Sequence, residues 1–166
     1  MQNFSVIVDG KQFWISRSMA VAGFIFSLRE NKLVVLANLR GSGCPNYQGY
    51  WNCPCGYLDF DETLRQACSR EVFEETNLFV DPENLDIYKI DDNPCSLSQN
   101  VTVSFWTFSQ TLYKEQTIFA KGFEFNEVES VAWIGMDELD SYKWAFNHKS
   151  IIESIVADRL GKYLTK

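Results

Sequence analysis

Residues 56–78, GYLDFDETLRQACSREVFEETNL, carry Asp59, Asp61, Glu62, Glu71, Glu74 and Glu75 in one short segment beside Arg70. Thr63 and Gln66 match a capping box, in which the threonine hydroxyl and the glutamine amide satisfy free backbone N–H groups. Their spacing predicts a helix over 64–76. Asn77 falls at the stop, where asparagine tolerates the left-handed conformation. A helix advances about 100° per residue. Ala67, Cys68 and Val72 then share an apolar stripe with Leu64, while Gln66, Ser69 and Phe73 lie opposite. Glu71 and Glu75 land inside that stripe and Glu74 on its edge. The acids continue the inward line of the helix instead of forming a simple solvated face.

This placement is unfavourable for acids alone. Glu71 and Glu75 form an i, i+4 like-charge pair, destabilising by ~0.2–0.5 kcal/mol even when exposed. Partial burial costs more unless a cation is present or protons are taken up. The acids also crowd the negative end of the helix dipole. Arg70 supplies one compensating charge, and a divalent metal would supply two. Carboxylate oxygens are hard ligands suited to Mg²⁺ or Mn²⁺, and no EF-hand loop pattern points to Ca²⁺. Helix geometry leaves a second reading open, a surface helix whose acids face Lys or Arg from elsewhere.

Length and charge narrow the field. The 166 residues are enough for a sizeable core and are read as one domain over 1–166. A net charge of −7 argues against binding a long nucleic acid. It permits a small phosphate ligand, because a bound metal inverts the local sign. The apolar stretch 21–28 is too short to span a bilayer, and 1–10 lacks the marks of an export signal. Cys44, Cys53, Cys55, Cys68 and Cys95 are an odd set without paired spacing, which reads as reduced thiols in a cytoplasm. No zinc site is expected, since there is no C-x-x-C pair and the single histidine, His148, is distant in sequence.

Along the chain, 6–8 and 13–15 flank Asp9-Gly10, a two-residue hairpin signal. This hairpin, within 1–18, either extends its own sheet or pairs across a homodimer, because an exposed edge seeks a partner. Strands are predicted at 20–28 and 32–39, with a Gly, Ser, Pro and Asn loop over 40–50 and an irregular strand over 51–58. Further strands are predicted at 85–90, 101–110 and 128–134. Residues 136–139 are expected to open a short helix, and a closing amphipathic helix is expected at 150–163. The pattern suggests an α+β fold, an α/β/α sandwich with a mixed β-sheet flanked by helices.

The segment 56–78 resembles the Nudix box, G-x5-E-x7-R-E-U-x-E-E-x-G-U, where U is a bulky aliphatic. Gly56, Glu62, Arg70, Glu71, Glu74 and Glu75 fill its glycine and charged positions. Asn77 replaces the last glycine, and Cys55 replaces the first glycine of the pair before the box. Trp51-Asn52-Cys53-Pro54-Cys55-Gly56 looks like the family's W-x-x-P-G-G lead-in. Residues 127–139 look like its late strand and turn, and Trp144-Ala145-Phe146-Asn147-His148 is similar to a phrase opening the last helix in several branches. The resemblance implies a Nudix fold and metal-dependent hydrolysis of a pyrophosphate bond in a nucleoside diphosphate derivative. It implies Mg²⁺ or Mn²⁺ held by Glu71, Glu74 and Glu75, with the Cys55 backbone carbonyl. Arg70 would orient the acids, Glu62 would support them, and Glu74 or Glu75 would act as base, with Glu127 or Glu129 as alternatives.

Substrate choice lies outside the box. Pro94, sixteen positions beyond Leu78, resembles the placement in ADP-ribose pyrophosphatases, so an ADP-ribose-like small-molecule nucleotide is favoured. A nucleoside triphosphate or modified nucleotide is the alternative. A Nudix module that binds a nucleotide sugar without cleaving it is the rival from another class. Isopentenyl diphosphate isomerisation would call for histidines that are absent. Arg40 is a candidate phosphate contact or a solvated strand end, and Glu127 a candidate substrate contact. His148 reads as structural. Phe24, Phe26, Trp106, Phe108 and Phe119 include candidates for a base-stacking ring, although most should be core.

Overall fold

The computed structural model describes residues 3–94, 99–110, 113, 116–120 and 126–164. Cys95 lies outside them. Strands β1 (Phe4–Val8) and β2 (Lys11–Ile15) pair about Asp9-Gly10 and form a two-stranded sheet of their own. Both turn residues have positive φ, 49° and 77°, as the tight hairpin turn predicted there requires.

The main sheet grows from a hairpin that opens. Strands β3 (Met19–Arg29) and β4 (Lys32–Arg40) pair only near their turn, from Phe26–Val35 to Arg29–Lys32. Beyond it they part. Two short strands, β5 (Trp51–Asn52) on β4 and β6 (Cys55–Tyr57) on β3, fill the opening. Residues 51–58, expected as one irregular strand, are two because they serve different neighbours. The Gly23 N–H donates to the Pro54 carbonyl at 2.8 Å, tying the crossing segment to β3. Strand β7 (Asp86–Asp91) pairs antiparallel with β8 (Val101–Ser109), which runs parallel along β3. Strand β9 (Val128–Gly135) pairs with β4, giving a mixed seven-stranded sheet.

Side chains alternate across a strand, so β3 feeds two cores. Val21 and Ile25 meet Ala67, Cys68 and Val72 of helix α1 (Leu64–Thr76). Phe24 and Phe26 meet Ile151, Ile152 and Ile155 of helix α2 (His148–Ile155). Burying each such aliphatic stabilises by about 1.5–3 kcal/mol. The result is the expected α/β/α layering. A Cβ on Gly23 would stand 2.8 Å from Val72 Cγ2, so the glycine sets how closely α1 approaches β3.

Three details differ from the sequence expectations. Ser69, placed opposite the stripe, is buried and donates to the Val80 carbonyl, because the chain after α1 folds back along that flank. The short helix expected to open at 136–139 is a single 3₁₀ turn at Leu139–Ser141. The closing helix starts earlier, at His148, and passes into a π turn at Val156–Leu160 and a 3₁₀ turn at Gly161–Tyr163. No helix among the described residues is long and apolar enough to cross a membrane.

Candidate active site

The capping box at the start of α1 forms as the sequence predicts. The Gln66 N–H donates to Thr63 Oγ1 at 3.3 Å, and the Thr63 N–H donates to Gln66 Oε1 at 2.8 Å. Asn77 ends the helix with φ 61°, left-handed, its N–H donating to the Phe73 carbonyl. These caps fix the rotation of α1 and direct Glu71 and Glu75 toward the segment that crosses the opened hairpin.

Arg70 gathers most of the acids. Its Nε and Nη2 donate to the two oxygens of Glu62 at 3.1 and 2.8 Å, a bidentate pair. Its Nη1 donates to Glu71 at 2.8 Å and Glu74 at 3.0 Å, and Nη2 also donates to the Tyr57 carbonyl at 3.0 Å. All five guanidinium N–H groups are thereby used. The Glu62 carboxyl is held below its ordinary range, chiefly by its bonds with Arg70. The Glu71 side chain is only 14% exposed and lies against Gly56, where a Cβ would stand 2.1 Å from its Oε1. That close approach explains why a glycine precedes the acidic run. Burial pushes the Glu71 carboxyl up, although Arg70 pulls it down.

Glu75 is treated differently. Arg70, expected to orient Glu71 with Glu74 or Glu75, reaches Glu71 and Glu74 only. The single hydrogen bond to the Glu75 carboxylate among the described residues comes from the Cys55 N–H, 3.2 Å from Oε2. Burial pushes the Glu75 carboxyl well above the usual range, and the neighbouring Glu71 pushes it further. Arg40 pulls it down and Glu127 pushes it up, both weaker effects, and the Gly41 N–H, next to Arg40, donates to the Glu127 carbonyl at 2.7 Å. The side chain of Arg40 is not a solvated strand end. It is 8% exposed, donates to the Asn46 carbonyl and side-chain amide oxygen at 3.1 Å each, and lies 5.1 Å from the Phe146 ring centroid.

His148 accepts the Cys53 N–H at Nδ1, 3.0 Å away, and packs edge-on against Phe24. Burial lowers its pKa to about 3, so it is a neutral support of the crossing segment. Burial raises the Cys53 and Cys55 thiols, which keeps them protonated. Among the described residues no three His, Cys, Asp or Glu side chains converge as a ready metal cage. Two of the candidate ligands, Glu71 and Glu74, are turned to Arg70. The donor set nevertheless fits a hard cation. It is all oxygen, and Glu75 is a half-buried carboxylate beside a second one, with no ion pair of its own among the described residues.

A cavity of about 450 Å³ lies elsewhere, between the far end of β8 and the C-terminal turns, lined by Trp106, Phe108, Arg159 and Tyr163. It contains none of the clustered acids. Of the rings considered for stacking, Phe24 and Phe26 are fully buried core and Trp106 and Phe108 pack against that core. Tyr47, Tyr50 and Phe146, which sequence reasoning passed over, instead stand exposed beside Arg40. The available signal was an aromatic pair inside a loop of turn-forming residues.

A family profile described as NUDIX domain matches residues 17–155. The phosphatase NudJ of Escherichia coli is 44% identical over 39 residues, a match covering 24% of this chain and 26% of that protein. The NUDIX domain of Shewanella oneidensis NrtR, solved with ADP ribose, superposes with TM-score 0.71 at 22% identity, covering 88% of this chain and 90% of that one. A bifunctional NMN adenylyltransferase/ADP ribose pyrophosphatase of Francisella tularensis, solved with AMP and a Mn ion, superposes with TM-score 0.69 at 21% identity, over 86% of this chain and 42% of that one. These two likenesses establish a shared fold.

Proposed function

The chain belongs to the Nudix family, and from that premise we propose that it is a divalent-metal-dependent hydrolase of a pyrophosphate bond in a nucleoside diphosphate derivative. One observation carries the reading. Glu71 and Glu75 project from α1 against the Cys55–Gly56 turn, and among the described residues the Glu75 carboxylate has no ion pair. Glu71, Glu74, Glu75 and the Cys55 backbone carbonyl would hold Mg²⁺ or Mn²⁺. When bound, such a cation neutralises diphosphate charge and makes a water more acidic.

The chain's own residues supply the rest. Arg70 fixes Glu62, Glu71 and Glu74 through charge-assisted bonds, so the carboxylates need little reorganisation. A water attacks phosphorus in line, its proton passes to a carboxylate, the P–O anhydride bond breaks, and a phosphate-bearing group leaves. Glu75 suits the base by position, because it stands at the Cys55 turn and, unlike Glu62, Glu71 and Glu74, makes no bond to Arg70. Glu74 and Glu127 are the other candidates.

An ADP-ribose-like substrate is favoured. The position of Pro94 supports it, as do the ADP ribose and AMP bound by the two structural neighbours. Nucleoside triphosphates or modified nucleotides are the alternative. The unpaired Cys44, Cys53, Cys55 and Cys68 suit a reducing compartment such as the cytoplasm. A second reading, binding without cleavage, is favoured by the engagement of Glu71 and Glu74 with Arg70. A panel of nucleoside diphosphate sugars, dinucleotides and triphosphates with Mg²⁺ or Mn²⁺ separates the two. Cleavage of at least one class is expected, and binding with no cleavage anywhere would replace the enzyme by the binding module.

A further inference from the structure

Beside the acids stands a group of rings to which the hydrolytic reading gives no task. Tyr47 comes from the loop between β4 and β5, and Phe146 from the turn before α2. Their centroids are 4.9 Å apart, and Tyr50 meets Tyr47 edge-on at 5.7 Å. Tyr47 and Phe146 each remain 45% exposed. Both also have positive φ, 52° and 55°. Bulky residues rarely enter that region, because it strains their backbone. Two loops distant in sequence thus hold unfavourable backbone to keep two large rings outward and touching.

The rings are backed by fixed groups. The Arg40 guanidinium lies over Phe146 and is anchored by both oxygens of Asn46, the residue before Tyr47. The His148 ring is 5.3 Å from that of Phe146 and is held by the Cys53 N–H. Two residues later the Cys55 N–H holds Glu75. One short turn therefore connects the support of the rings to the carboxylate short of charge.

We infer that Tyr47 and Phe146 form a stacking platform for the nucleobase of the substrate, holding a nucleotide by its base while its phosphates meet the acids of α1. The substrate class rests on the hydrolytic reading above. A base is flat and has a π face whatever its identity, and stacking on aromatic rings is sequence-tolerant for that reason. A bare sugar phosphate offers no such face. Arg40 adds a cation beneath the ring layer, which favours an electron-rich base above it.

The test keeps the full chain in chelator, so that no hydrolysis occurs, and follows the ring resonances of Tyr47 and Phe146 by NMR. The probes are AMP and ribose 5-phosphate, and Tyr47→Phe and Phe146→Leu serve for assignment and as variants. AMP should shift both rings and ribose 5-phosphate neither. Phe146→Leu, which keeps an apolar side chain of similar bulk, should weaken AMP roughly tenfold or more without changing ribose 5-phosphate binding. Tyr47→Phe, which keeps the ring, should retain AMP. Rings unmoved by AMP, equal loss of both probes in Phe146→Leu, or loss of AMP in Tyr47→Phe would each overturn the platform. Restoring Mg²⁺ separates the two ideas. Ring shifts without cleavage of any nucleotide would remove the hydrolytic reading alone, and cleavage with unmoved rings would remove the platform alone.

Discussion

Two carboxylate environments sit one helical turn apart on α1, and they differ in what balances their charge. Around Arg70, Glu62, Glu71 and Glu74 share a guanidinium whose N–H groups are all engaged. At the Cys55 turn, Glu75 has one backbone N–H and sits next to Glu71. The first arrangement is complete within the protein and works as scaffold. The second has no ion pair among the described residues and only a weaker pull from Arg40, and the metal-dependent reading of the chain rests on that deficit.

Glu75→Gln should give the largest effect on activity. It keeps the shape and the Cys55 bond while removing the charge, so hydrolysis should fall by roughly 10²–10⁴-fold with folding retained. Steady-state kinetics with circular dichroism on the same sample checks both parts. Arg70→Ala attacks the other environment. It frees three carboxylates at once and should cost about 1.5–3 kcal/mol of stability, read from urea unfolding, along with activity. If Arg70→Ala left stability unchanged, the contrast between scaffold and site would dissolve.

The contrast also has a pH signature. Glu75 and Glu71 have carboxyls raised in the folded protein, so without metal their contribution is fully present below the ordinary carboxylate pKa and is lost as pH rises. Glu62 is lowered, so its contribution is present above that range and is lost on acidification. His148, lowered to about 3, favours the folded state as pH rises toward 6.5 and would mask the trend in wild type alone. The informative quantity is the difference in melting temperature between wild type and Glu75→Gln in chelator. Glu75→Gln should gain on wild type as pH rises, and a difference independent of pH would contradict the assignment of the unbalanced charge to Glu75.

Much of this was legible in the sequence, and the exceptions have physical reasons. The capping box, the left-handed Asn77 and the Asp9-Gly10 turn are local, set by a few neighbouring residues, and they appear as read. The inward rotation of Glu71 and Glu75 follows from helical period alone. Ser69 was misplaced, and Arg40 was left open between two readings, because their burial depends on distant chain. The segment after α1 covers Ser69, and the loop 41–50 with Phe146 covers Arg40. The exposed rings at Tyr47 and Phe146 were missed for the same reason, since their contact joins loops about a hundred residues apart. A small effect tests this point. Ser69→Ala leaves the Val80 carbonyl without its buried donor and should cost about 1 kcal/mol with hydrolysis unchanged.

The most direct measurement is a calorimetric titration of wild type and Glu75→Gln with Mn²⁺, run in buffers of different ionisation enthalpy. Wild type should bind the cation and release protons, because the raised carboxyls must ionise to ligate it. Glu75→Gln should bind markedly more weakly and release fewer protons. Equal affinity and equal proton release in the two proteins would contradict the claim that Glu75 is the charge a cation completes.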